Sequence, residues 1–167
     1  HINTLDVFSA GRYMELDYTT RRNLELTENL RTGEKKGSLL WVLDKTKTPM
    51  GGRLLRAWVE RPLLSPTNIR RRQSAVQELF EDNVTRGELI ETLREVGDIQ
   101  RLVGRAVYGT ANGRDLQALG RYCAALPTLA KLLDGKKSRE LCEIAAADPV
   151  AEISALIERA ICDEPPV

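Results

Sequence analysis

Leu116, Leu119, Cys123, Leu126, Ala130 and Leu133 recur at steps of three and four residues. That spacing puts them along one side of an α-helix, and no strand could gather them on one face. A stripe of this length is stable only against a partner surface, so it commits the chain to helix-on-helix packing. Pro127 falls inside it and has no N–H to donate, which predicts a kink or a division near Leu126. The same periodicity returns elsewhere. Behind Asp98, a residue suited to capping, Ile99, Leu102, Val103, Ala106 and Val107 fall at i, i+3, i+4, i+7 and i+8. Ile69, Gln73, Val76 and Phe80 share a helical face with Leu79 beside them, and Leu89, Ile90, Leu93 and Val96 follow the Asp82-Asn83 interruption. A last helix carries Val150, Ile153, Leu156, Ile157, Ala160 and Ile161, starting after Asp148 with Pro149 at its head.

Helix starts are signalled as clearly as helix faces. Ser38 is placed to cap a short apolar helix through Leu39, Leu40, Val42 and Leu43. Thr48 offers a side-chain oxygen to first-turn amides, and Pro49 at the first helical position needs no N–H partner. Leu54, Leu55, Trp58 and Val59 then predict a broad buried face, while Gly51-Gly52 predicts a close backbone crossing. Pro62 stops this helix, and Ser65-Pro66-Thr67 begins the next. Trp41 and Trp58 read as core fillers. Near the N-terminus Arg12 to Asp17 alternates loosely and predicts a short strand, with Asn23 to Leu26 as its partner. Residues 31–37 form a polar, glycine-bounded loop. The expected fold is all-α: a bundle-like core of about seven to nine helices with a small two-strand element near the N-terminus.

Composition removes several classes of function. No apolar run reaches the length of a membrane span, and no basic segment with a hydrophobic stretch opens the chain. The one histidine is terminal, and Cys123, Cys142 and Cys162 lack C-x-x-C spacing. They read as small apolar residues in a reducing cytosol rather than zinc ligands. Gly33 to Ser38 approaches a phosphate loop, but with the wrong gap and no following Lys-Ser/Thr. Net charge is +1, yet Arg53, Arg56, Arg61, Arg70, Arg71 and Arg72 face only Glu60 between residues 53 and 72. Arg70, Arg71 and Arg72 are therefore the candidate nucleic-acid contacts. Three successive helical residues fan through about 200°, however, so they cannot all grip one phosphate backbone. From Asp134 onward the balance reverses to −4. Asp44, Asp98 and Asp115 each sit beside a helix start or stop, which predicts capping rather than acid catalysis. Arg53 and Arg101, on helices with apolar faces, predict buried or interfacial ion pairs.

Four ordered stretches carry a family resemblance. Arg21-Arg22-Asn23-Leu24-Glu25-Leu26, then Asp44, Thr46, Thr48-Pro49-Met50-Gly51 and Arg53-Leu54-Leu55, resemble the core domain of bacterial MutS. Asp98-Ile99-Gln100-Arg101-Leu102, with Thr110-Ala111 and Arg114-Asp115-Leu116, is similar to a second stretch of that core. Ile157 to Ile161, ending in Pro165-Pro166-Val167, is similar to the point where the family's chain leaves the core to build its DNA clamp. One departure is Asn112-Gly113, where the family often has proline before Arg-Asp-Leu. The glycine predicts a looser helix start, by roughly 0.4–1 kcal/mol.

The resemblance implies that residues 1–11 end a connector region and 12–167 form the N-terminal part of the core, up to the clamp insertion. It implies a cytoplasmic, non-enzymatic lever segment with no catalytic, cofactor or metal residues of its own. Arg53, Asp98, Arg101, Arg114 and Asp115 would then be structural or interdomain residues. The implied parent is a homodimer that binds mismatched duplex DNA, and ATP with Mg, through other domains of the same chain. Helices returning after the clamp would rejoin this core, so an apolar surface should stand uncovered. The alternative is a helical module that binds the DNA backbone through the Arg53–Arg72 segment.

Overall fold

The computed structural model describes residues 11–162 and 165. Among the described residues there are ten helices: α1 (Tyr18–Asn23), α2 (Leu39–Leu43), α3 (Pro49–Glu60), α4 (Pro66–Glu81), α5 (Asn83–Arg94), α6 (Ile99–Val107), α7 (Gly113–Ala124), α8 (Leu126–Leu132), α9 (Arg139–Ala145) and α10 (Ala151–Ala160). The helical class is as expected; α1 and α9 are additions. No helix among the described residues is long and apolar enough to cross a membrane. Most of the expected connector end, residues 1–10, lies outside the described residues.

The expected two-strand element is absent from the described residues. Tyr13 instead makes an isolated antiparallel bridge with Leu63, supported by Met14 N–H donating to the Pro62 carbonyl at 2.8 Å. The proposed partner segment is not extended, because Asp17 accepts the Thr20 amide at 2.6 Å and starts α1 there. The chain then turns through Glu25 at φ +48° and buries Leu26.

Capping chemistry accounts for the other starts. Ser38 accepts the Trp41 amide at 3.2 Å, Thr48 the Gly51 amide at 3.0 Å, and Asp98 the Arg101 amide at 3.2 Å. Pro127 divides its stripe as expected: α7 ends at Ala124 and α8 begins at Leu126. Pro149, by contrast, precedes its helix. Asp148 accepts the Val150 amide at 2.8 Å, Val150 turns left-handed at φ +49°, and α10 begins one residue later.

At α7, Asn112 and Asp115 form a reciprocal capping box, each accepting the other's backbone amide at 2.9 and 3.0 Å. The adjacent Gly113 has a spatial reason: a Cβ there would stand 2.6 Å from Cβ of Pro165. Replacing Asn112 by Ala should cost about 0.5–2 kcal/mol in urea denaturation. A neutral result would mean that the cap contributes nothing.

The chain divides into two compact units, one of residues 1–45 and 54–70, the other of residues 46–53 and 71–167, with divisions just before α3 and inside α3 and α4. In the first, α2 is tied to the turn after α1, since the Leu39 and Leu40 amides donate to the carbonyls of Glu25 and Leu26 at 2.9 Å each. Leu26, Ser38 and Leu40 are the buried residues of that turn-and-helix. A five-residue helix buries one narrow face, so Trp41, one position along, is 48% exposed. Trp58 is 38% exposed and no residue of α3 is fully buried, so neither tryptophan is the expected core filler.

In the second unit α10 lies along α7, α7 touches α6 and α8, and α8 touches α5 and α9. Its core joins Ala75, Leu89, Leu133 and Leu141, bordered by Leu79, Leu129, Leu132 and Ala145. Gly120 lets α7 and α10 approach closely; a Cβ there would stand 2.9 Å from Cγ2 of Ile157. Ser154 uses the same approach to donate its hydroxyl to the Gly120 carbonyl at 3.0 Å. The Gly51-Gly52 pair has a different neighbour from the expected crossing backbone. The nearest atoms to an added Cβ are side-chain atoms of the local Thr46 and Thr48.

Candidate functional site: charged clasps between helices

The face of α4 expected to be buried is instead exposed, with Val76 at 67% and Phe80 at 68%. Its inner side carries Arg71, Ala75, Glu78 and Leu79, turned from Val76 and Phe80 by roughly a third of a circle. Polar residues tolerate an inward position when each finds a partner, and both here do so on or beside α9. Arg71 pairs with Glu140 at 2.5 Å and with Glu143. Glu78 accepts the amides of Lys137 and Ser138 at 2.7 and 2.8 Å, and these hydrogen bonds hold its pKa below the usual carboxylate value. At the end of α4, Asp82 caps α5 through the Thr85 amide at 3.0 Å and receives Lys136 at 2.6 Å. The ammonium group and Thr85 push its carboxyl far down. For Arg71, burial opposes the charge, but hydrogen bonds to Glu143 and Glu140 outweigh it and raise the pKa.

A second clasp joins α3 to the start of α6. Both terminal nitrogens of Arg53 donate to Asp98 at 2.8 Å, and one also reaches Gln100 at 2.8 Å. Asp98 thereby serves two structures, capping α6 through Arg101 N–H while holding Arg53. A third clasp joins α6 to α7 through Arg105 and Asp115 at 2.9 Å. Thus the structure brings Arg53 and Asp98 together and pairs Asp115 with Arg105. The Arg101 and Arg114 side chains are exposed and make no ion pair among the described residues, so the pair expected for Arg101 is not found there.

Of the basic run, Arg70 is exposed, Arg72 is half-buried, and Arg71 is spent on two carboxylates. Arg53 is likewise engaged by Asp98, and Arg56 by Glu60 at 2.9 Å and Glu28 at 3.8 Å. Sequence reasoning missed Glu78, Asp82, Arg105, Lys136, Glu140 and Glu143. One local signal was available: Arg139 and Glu143 stand four apart behind Ser138, as an exposed helical ion pair would.

The Arg53–Asp98 clasp should respond to acid. The Arg53 hydrogen bonds, opposed by partial burial and helped by Arg101 N–H, lower the Asp98 pKa from 3.8 to about 2. A carboxyl depressed by folding stabilises the native state above its ordinary pKa and loses that contribution as pH falls through the depressed value. The Arg53 guanidinium resonances should therefore still report the bonded state at pH 5 and lose it only as pH falls through about 2. Asp98→Asn should show the released state already at neutral pH; unchanged resonances in both experiments would remove the clasp.

No three of the described His, Cys, Asp and Glu residues are placed to hold a metal ion together. Comparison with known proteins adds a family. Residues 19–167 match the model for MutS domain III. Over its whole length the chain is 48% identical to the DNA mismatch repair proteins MutS of Alkaliphilus oremlandii (strain OhILAs) and Symbiobacterium thermophilum, covering 19% of each. It is 42% identical to the protein of that name from Bacillus cytotoxicus, again covering 19%. The chain thus spans about a fifth of the length of the curated relatives it matches.

Proposed function

Because this chain belongs to the MutS domain III family, we propose that it is the core, or lever, segment of a DNA mismatch repair protein. In this reading it carries displacement between mismatch-binding, clamp and ATPase parts that lie outside these residues. The parent binds mismatched duplex DNA, and ATP with Mg, as a homodimer. The segment supplies no catalytic group of its own. One observation carries the reading: charged residues, some legible in the sequence and some not, act as fasteners between helices. Asp98 joins α3 to α6, Asp115 joins α6 to α7, and Arg71, Glu78 and Asp82 bind α4 and α5 to α9 and the turn before it. A helical body stapled in this way moves between discrete packings rather than deforming continuously.

The full-length protein provides the test. Asp98→Asn keeps an acceptor for the α6 cap but removes the charge that holds Arg53. Stimulation of ATP turnover by mismatched duplex should fall by about fivefold or more, while mismatch affinity and basal turnover each stay near the wild-type level. Unchanged stimulation would refute transmission through this clasp. The 167-residue chain alone should bind matched and mismatched duplex equally poorly. Mismatch preference in that chain would make it a reader instead. The DNA-backbone reading of Arg70, Arg71 and Arg72 is weakened by the two carboxylates already on Arg71.

A further inference from the structure

The first unit contains a cavity of about 490 Å³ beside α1, bordered by Arg21, Arg22 and Arg56 together with Glu28 and Glu60. The two carboxylates in its wall are already engaged, both by Arg56. Glu25, close in sequence, accepts the Leu30 amide at 2.7 Å. Asp17 is held below its ordinary pKa by hydrogen bonds from Thr20, with Arg21 only a lesser influence. Arg21 and Arg22 consequently have neither an ion-pair nor a hydrogen-bond partner for their side chains among the described residues. Arg21 is the sharper case, since its Nε is shielded from solvent and has no acceptor. Other arginines of this chain that are held in place, such as Arg53, Arg71 and Arg105, each meet a carboxylate. A guanidinium that has lost part of its hydration without gaining a counter-ion binds an incoming anion more strongly than a fully solvated one.

We propose that the Arg21–Arg22 cavity is a docking seat for an acidic side chain of another polypeptide segment, an Asp or Glu flanked by apolar residues. The planar guanidinium fork matches a carboxylate in two parallel hydrogen bonds. Leu26, Leu30 and Tyr18 supply apolar surface around the charged pair, and Tyr18 and Leu30 are exposed. Nucleic acid suits the cavity less well. Glu28 and Glu60 leave its wall a formal charge of only +1, whereas a phosphodiester run is held by several unopposed cations. The curated relatives carry roughly four fifths of their length outside the span matched here, so further polypeptide that could supply the acidic side chain exists beside it in those proteins. The proposal rests on the reading of this chain as a transmitting segment and names one contact through which it is seated. Its test is independent of the Asp98 experiment.

Arginine-¹⁵N-labelled chain would be titrated at low salt with four probes: a short peptide alternating glutamate and leucine, its glutamine counterpart, inorganic phosphate, and duplex DNA. The glutamate peptide should shift the Arg21 and Arg22 guanidinium resonances and slow their exchange with solvent. Its affinity should drop by about tenfold or more in Arg21→Gln and by less in Arg21→Lys, which keeps the charge and loses the fork. Protection of the Leu40 amide would confirm that each variant is folded. Should Arg21→Gln fail to fold, the wild-type resonances and Arg21→Lys decide alone. Equal binding of the glutamine peptide, no shift at Arg21, or a response to phosphate or DNA only would each overturn the proposal. None of these outcomes bears on whether Asp98 couples ATP turnover to mismatch binding.

Discussion

Leu133→Ala should destabilise the chain by about 2–5 kcal/mol, the cost of removing a buried leucine side chain and leaving a cavity behind. Leu133 closes α8 and belongs to one buried cluster with Ala75 of α4, Leu89 of α5 and Leu141 of α9, so the truncation falls where four segments share a core. The loss is a large part of the 5–15 kcal/mol or so that holds an ordinary domain folded. Urea denaturation read by far-ultraviolet dichroism measures it. Leu133→Met, which keeps the volume, should cost less than about 1.5 kcal/mol. Similar losses from both substitutions would mean that the cluster is not packed around this side chain.

The second large effect is expected at Gly120. Valine there brings a Cβ to 2.9 Å from Cγ2 and 3.3 Å from Cβ of Ile157, and the latter cannot rotate out of the way. Overpacking of this kind costs about 1–3 kcal/mol. The effect should be local in character, with the amides of α10 losing protection from hydrogen exchange before those of α8. Adding Ile157→Ala should recover part of the loss, since it removes Cγ2, the nearer colliding atom, while Cβ stays. A double-mutant cycle with no coupling between the two positions would disprove the close approach.

Much of this architecture could be read from local chemistry. Asp98, Ser38, Thr48 and Asn112 cap the helices that their sequence context assigns to them, and Pro127 splits its stripe where a missing N–H must. Those effects act over three or four residues. The orientation of α4 was not legible, because the partners that turn Arg71 and Glu78 inward stand about sixty or seventy positions away, on and just before a helix too short to show a period. The Arg12–Asp17 alternation suggested a strand pair, yet Asp17 caps a helix that occupies the positions before its expected partner. Of the candidate residues, Arg53 and Asp98 could be named from sequence, but their pairing could not. Arg105 was overlooked because nothing local distinguishes it from a solvated arginine.

Glu78 approaches the start of α9 from a segment far earlier in the chain, and Ser138 makes no side-chain cap of its own. Seven residues cannot sustain a helix unaided in water. The stretch from 137 to 145 therefore has no conformation of its own to contribute; its order is imposed by the arrival of α4. It should fold late and all at once, and its exchange protection should measure that arrival rather than any intrinsic tendency to coil.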